Sequence, residues 1–174
     1  MKQFAEWLST TSPSVFIQHH NGWMIPTIQS IHIVGISLVL GSVLMIDLRV
    51  LGWAGTDQTL RQTTNRFGPW LVAALVLQLA TGLLMVVGEP VRELVNFSFW
   101  FKMVLVSIGT LTAILFLATV SKYQGKAGDE ALLRRSPVKW MAVVTFLIWL
   151  GIIILGRLIA YDHVWGSWSP AQKA

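Results

Sequence analysis

Four apolar runs, Trp23 to Ile46, Trp70 to Val87, Phe97 to Val120 and Trp140 to Ala160, take up most of this 174-residue chain. An α-helix needs about 20 such residues to cross the hydrocarbon core of a bilayer. In lipid every backbone N–H and C=O must be satisfied within the segment, so these runs point to helices. With 54% hydrophobic residues, 12% charged residues and nine Trp, the chain is too oily for an ordinary soluble domain. The expected fold class is all-α: an integral membrane four-helix bundle with a short N-terminal interfacial helix. Residues 1–22 form the N-terminal interfacial segment, 23–161 the transmembrane domain and 162–174 an outer-face C-terminal tail. Pro13, His19 and His20 interrupt the early apolar stretch, so a cleaved signal peptide is not expected.

Loop charge sets the expected orientation. Arg49, Arg61 and Arg66 follow the first run, and Lys122, Lys126, Arg134, Arg135 and Lys139 follow the third. Both loops should be cytoplasmic, which leaves the termini on the periplasmic side of a bacterial inner membrane. The net charge of +5 therefore reflects topology, and no nucleic-acid partner is expected. The absence of Cys excludes disulfides, thiolate ligands and thiol catalysis. No Walker loop, nucleophile elbow or His-Glu-x-x-His helix is present. Gly125 to Gly128 reads as a flexible turn and Thr56 to Asn65 as a solvated loop.

His32 is the informative departure from this pattern, because an ionisable ring in a lipid-spanning segment is costly and normally faces a partner. His32, Gly35, Ile36, Val39, Ser42 and Ile46 recur at spacings of three and four and so share one helix face. Small residues suited to helix contacts lie along the runs: Gly35, Gly41, Ser42, Ala73, Ala74, Ala80, Thr81, Ser107, Gly109, Gly151 and Gly156. Gly35, one turn from His32, leaves space for a flat ring against the backbone.

Helical rise places His32 roughly 25 Å above Arg49, Arg157 roughly 27 Å above Lys139, and Lys102 roughly 30 Å above Lys122. Met85 and Met103 fall at similar heights. The four runs contain no Asp or Glu, so the two cations need an anion from elsewhere. One reading has them snorkel to headgroups or pair with Glu89, Glu93 and Asp162, with His32 hydrogen-bonded to Ser107 or Gln78. The other is a porphyrin, with His32 as an axial ligand and Lys102 and Arg157 holding the two propionates.

The segments Ile31-His32-Ile33, Asp47-Leu48-Arg49-Val50-Leu51-Gly52, Thr81-Gly82-Leu83-Leu84, Glu89-Pro90 and Phe101-Lys102-Met103 resemble those of a bacterial four-helix membrane family of unknown function. More distantly they are similar to HemJ-type protoporphyrinogen IX oxidases and CopD-type copper-resistance proteins. The HemJ resemblance implies a haem or porphyrin role for His32 and Lys102, with Arg49 ending the His-bearing helix. The further histidines of the HemJ type have no counterpart here. The implied cofactor is haem b. His163, His19, His20, Met85 or Met103 would supply a second axial ligand, or the iron would be five-coordinate.

The functional expectation is electron transfer between haem and a quinone or a periplasmic redox protein, or HemJ-like porphyrinogen oxidation, with a homo-oligomer also compatible. The alternatives are a copper or small-solute transporter and a non-enzymatic membrane anchor subunit.

Overall fold

The computed structural model describes residues 1–122, 125–134 and 136–160, and the four apolar runs lie within helices longer than the runs themselves. The chain forms α1 (Lys2–Ser9), α2 (Ser12–His19), α3 (Asn21–Leu51), α4 (Leu60–Gly88), α5 (Pro90–Leu94), α6 (Phe97–Val120), α7 (Gly125–Leu133) and α8 (Ser136–Ala160), with no strand among the described residues. Helices α3, α4, α6 and α8 are long and apolar enough to cross a membrane.

Caps and turn chemistry set the helix ends. Gly52, at φ 78°, takes the left-handed conformation that closes α3. Thr59 and Gln62 form a reciprocal capping box that starts α4, and the Asn96 side chain accepts the Ser98 N–H to start α6. The Thr56 to Asn65 stretch, read above as solvated loop, is therefore helical from Leu60. Leu60, Thr63 and Thr64 are buried. Likewise, Gly125 to Gly128 opens α7 and is not a free turn.

The residue contacts make neighbouring helices antiparallel. His32 and Gly35 of α3 meet Gln78 and Thr81 of α4, while Gly109 and Leu105 of α6 meet Trp149 and Gly151 of α8. Helix α3 packs along both α4 and α8, and α6 packs along α8. Val39, Val43, Leu71, Ala74, Ala113, Trp149 and Ile152 form the middle of the core. Val50, Leu60, Val120, Leu132 and Ala142 fill the end next to α7, and Ala5, Leu94 and Phe99 fill the end next to α5.

Large apolar side chains such as Val34, Val76, Leu79, Leu111 and Leu147 cover the outside. A surface of this kind is suited to lipid, where apolar exposure carries no penalty. Hydroxyls on these helices turn back to their own backbone: Ser37 donates to Ile33 O, Ser107 to Met103 O and Thr112 to Ile108 O. Trp7, Trp23, Trp53, Trp70, Trp100 and Trp140 are exposed, whereas Trp149 is buried in the core.

Two expectations about packing change. The N-terminal segment is two helices and is docked on the bundle: Ala5, Ser14 and Ile17 are buried while Phe4, Trp7 and Phe16 are exposed. Among the small residues, Gly35, Ser42, Ala74, Thr81 and Gly109 are buried. Gly41 and Gly156 face open space, and Ala73, Ala80 and Ser107 are exposed. A small residue matters only where a neighbour's bulky group comes close, as Trp149 does at Gly109.

Candidate functional site

His32 lies half-buried on the face of α3 that meets α4, among the buried Gly35, Val39, Ser42 and Ile46. Its ring is held by Thr81. The Thr81 hydroxyl donates its own proton to Leu77 O at 2.7 Å, so Thr81 Oγ1 accepts from the Nδ1–H of His32, also at 2.7 Å. With the proton on Nδ1, Nε2 keeps its lone pair.

Gln78, one turn from Thr81 on the same face of α4, donates from Nε2 to the His32 backbone carbonyl at 2.7 Å. Gly35 makes this approach feasible, because a Cβ there would stand 2.9 Å from Gln78 Nε2. The notch left by Gly35 is thus filled by an amide and not by a flat ring. Ser107, the other partner considered for His32, spends its hydroxyl on Met103 O.

Lys102 lies in α6 at the same end of the bundle. Its Nζ sits 5.7 Å from the centroid of the Phe99 ring, and it is within electrostatic range of both His32 and Glu93. The anion that Lys102 requires is therefore available from the chain itself. Glu93, on α5, is 3% exposed. Burial pushes its carboxyl above the usual glutamate range, against the opposing pull of Lys102 and Arg92. Arg92 itself pairs with Glu89 at 2.6 Å.

A carboxyl with a raised folded-state pKa contributes its stability below its unfolded value, and that contribution is lost as pH rises through the folded value. The unfolding temperature in detergent should fall as pH rises from about 4. Glu93→Gln should flatten that dependence, and an unchanged pH profile in the variant would assign it elsewhere.

The other residues singled out from sequence are dispersed. Arg157 stands exposed in the last turn of α8, at the same end as His32 and Lys102. Arg49 lies at the opposite end of α3 from His32. Its Nε donates to Gln58 O at 2.7 Å and its guanidinium lies 3.5 Å from Asp129. Met103 packs against the Ala5, Leu94 and Phe99 cluster, and His19 and His20 are exposed. His163 lies outside the described residues. No group of three His, Asp or Glu able to hold a metal ion occurs among the described residues.

Sequence reasoning missed three polar groups. Asp47, one residue beyond the first apolar run, is inside α3 and buried, so the spanning helices do contain an acid. Asp129, in the connection after the third apolar run, is buried and accepts the Leu60 N–H at the start of α4. Thr81, counted only as a small contact residue, is the partner of His32.

Residues 4–162 match the model of a family of unknown function, DUF6644. The chain belongs to that family. No curated protein and no solved structure matches it. The match spans α1 to α8 and so includes His32, Gln78, Thr81, Glu93 and Lys102.

Proposed function

We propose that this member of the family is a b-type haem-binding redox protein of the bacterial inner membrane, with both termini periplasmic. The reading is carried by the His32 ring, whose Nδ1–H is committed to Thr81 and whose Nε2 lone pair is available. Imidazoles that ligate metals characteristically donate their other N–H to a fixed acceptor, which sets the tautomer and the ring orientation. An imidazole held in this way would serve as a ligand to haem iron. When bound, the haem would supply one-electron chemistry.

The chain's own residues would bind and orient the group. Thr81 holds the His32 ring, Gln78 locks the backbone behind it, and Lys102 brings positive charge to the same end of the bundle. Lys102, for which Glu93 is the competing partner, would face one propionate, and Arg157 is the second cation at that end. The likeness to HemJ-type proteins at His32 and Lys102 supports a porphyrin, while the basic residues Arg61, Arg66, Lys122 and Lys139 support cytoplasmic loops at the opposite end. A quinone or a periplasmic redox protein would then exchange electrons at the His32 end.

The absorption spectrum of protein purified from haem-supplied cells tests this reading. A Soret band should be present, lost in His32→Ala and retained in His163→Ala. Thr81→Val should weaken haem affinity about 10- to 100-fold, as loss of an outer-shell partner does. A protein without a Soret band, or one whose band survives His32→Ala unchanged, would overturn the reading.

A further inference from the structure

At the end of the bundle away from His32, all four spanning helices surround a cavity of about 30 Å³. That is room for one or two water molecules. Its wall is mostly apolar, with Val43, Ile46, Ala113 and Phe116 among its residues. The polar groups on it are Asp47 of α3, Thr112 of α6 and Thr145 of α8. Asp47 is 7% exposed, and its Oδ2 is buried without a hydrogen-bond partner. A carboxylate left bare in that setting is strongly disfavoured, so something must satisfy it.

The cation closest to Asp47 in the chain is engaged elsewhere. Arg49, two residues on, gives its Nε to Gln58 O and its guanidinium to Asp129 of α7. Asp129 also accepts the Leu60 N–H. Helix α4 offers Leu71 to the cavity, α6 offers Thr112, Phe116 and Leu117, and α8 offers Met141 and Thr145, so none of these presents a titratable group to it. A hard metal cation takes about six oxygens or more, and the wall offers one carboxyl and two hydroxyls. The Thr112 proton is already directed to Ile108 O, which leaves its oxygen as an acceptor.

We propose that this cavity is a proton-exchange site, in which Asp47 carries an exchangeable proton delivered through cavity water and held near the Thr112 and Thr145 hydroxyls. The step is proton transfer alone: a proton borne by hydronium adds to a carboxylate oxygen and leaves water, and the reverse step returns it. Such a group gives the membrane-embedded bundle a proton donor and acceptor. The inference does not depend on haem.

Infrared difference spectroscopy of the purified protein in lipid nanodiscs tests it. The expected result is a C=O stretch from a protonated carboxyl at neutral pH that shifts in D₂O. That stretch should persist in Glu93→Gln and, in that background, be absent with Asp47→Asn and move with Thr145→Val. Three results would overturn the proposal: carboxylate bands alone in the Glu93→Gln protein, a protonated band that survives Asp47→Asn in that background, or a band replaced by carboxylate when sodium is substituted for choline, which would make the site a cation site. Circular dichroism checks that the Asp47→Asn protein is helical. If that variant does not fold, the wild-type D₂O shift together with the Thr145→Val displacement, in the Glu93→Gln background, decides the matter.

Discussion

Asp129→Ala should destabilise the protein by about 3–5 kcal/mol, the range for removing one partner of a buried ion pair. Asp129 is 5% exposed and joins three elements: it pairs with Arg49 of α3 at 3.5 Å and accepts the N–H of Leu60, the first residue of α4, from its own position on α7. Removing the carboxylate strands the guanidinium of Arg49, a residue 8% exposed, with the Gln58 carbonyl as its remaining acceptor among the described residues. It also leaves an N–H unsatisfied at the start of α4. Asp129→Asn keeps an acceptor for Leu60 and should cost less, about 1–3 kcal/mol. Denaturant unfolding in detergent micelles reads both values. Equal costs for the two variants would mean that the lost charge carries the whole effect and that the Leu60 hydrogen bond contributes nothing.

The second large effect is expected at the other end. A Cβ on Gly88 would fall 2.7 Å from Ile25 Cδ1 and 2.8 Å from Ile17 Cγ2. Ile25 can swing its terminal methyl away, but Ile17 Cγ2 is fixed to a branched Cβ, so α2 must shift as a whole. Gly88→Ala should therefore cost about 1–3 kcal/mol by overpacking. It should also loosen the N-terminal segment, making α1 and α2 more susceptible to limited proteolysis. Adding Ile17→Val keeps Cγ2 and should not rescue, whereas Ile17→Ala removes it and should restore most of the protection. A Gly88→Ala protein as stable and as protease-resistant as wild type would show that α2 is not seated against Gly88.

The four spanning helices were legible because hydrophobic length is a local property. Their ends were less so. Counting apolar residues stopped the first run at Ile46, yet α3 continues through Asp47 and Arg49 to Leu51 before Gly52 closes it. Asp47 was hidden by that single residue. At the start of α4 a usable signal existed, since Thr59 and Gln62 have the spacing of a capping box ahead of an apolar run. Periodicity placed His32, Gly35, Val39, Ser42 and Ile46 on one face, and that face is the packed one.

The partners across that face were not legible. Thr81 lies 49 positions from His32 and Gln78 lies 46 positions from it, and nothing local distinguishes them from Ser107. Glu93 was an ordinary loop acid until α5 was seen to bury it within electrostatic range of Lys102.

Composition and the lengths of the apolar runs, taken alone, commit this chain to the membrane and to helices, because lipid admits little else for a backbone with no water to bind. Which helix meets which, and hence which acceptor holds the His32 ring and which carboxyl is left bare beside a cavity, was decided by the tertiary structure. The reason is physical: in lipid an apolar face gains almost nothing by turning from acyl chains to another helix. Pairing therefore rests on a few close approaches and hydrogen bonds between residues far apart in the chain.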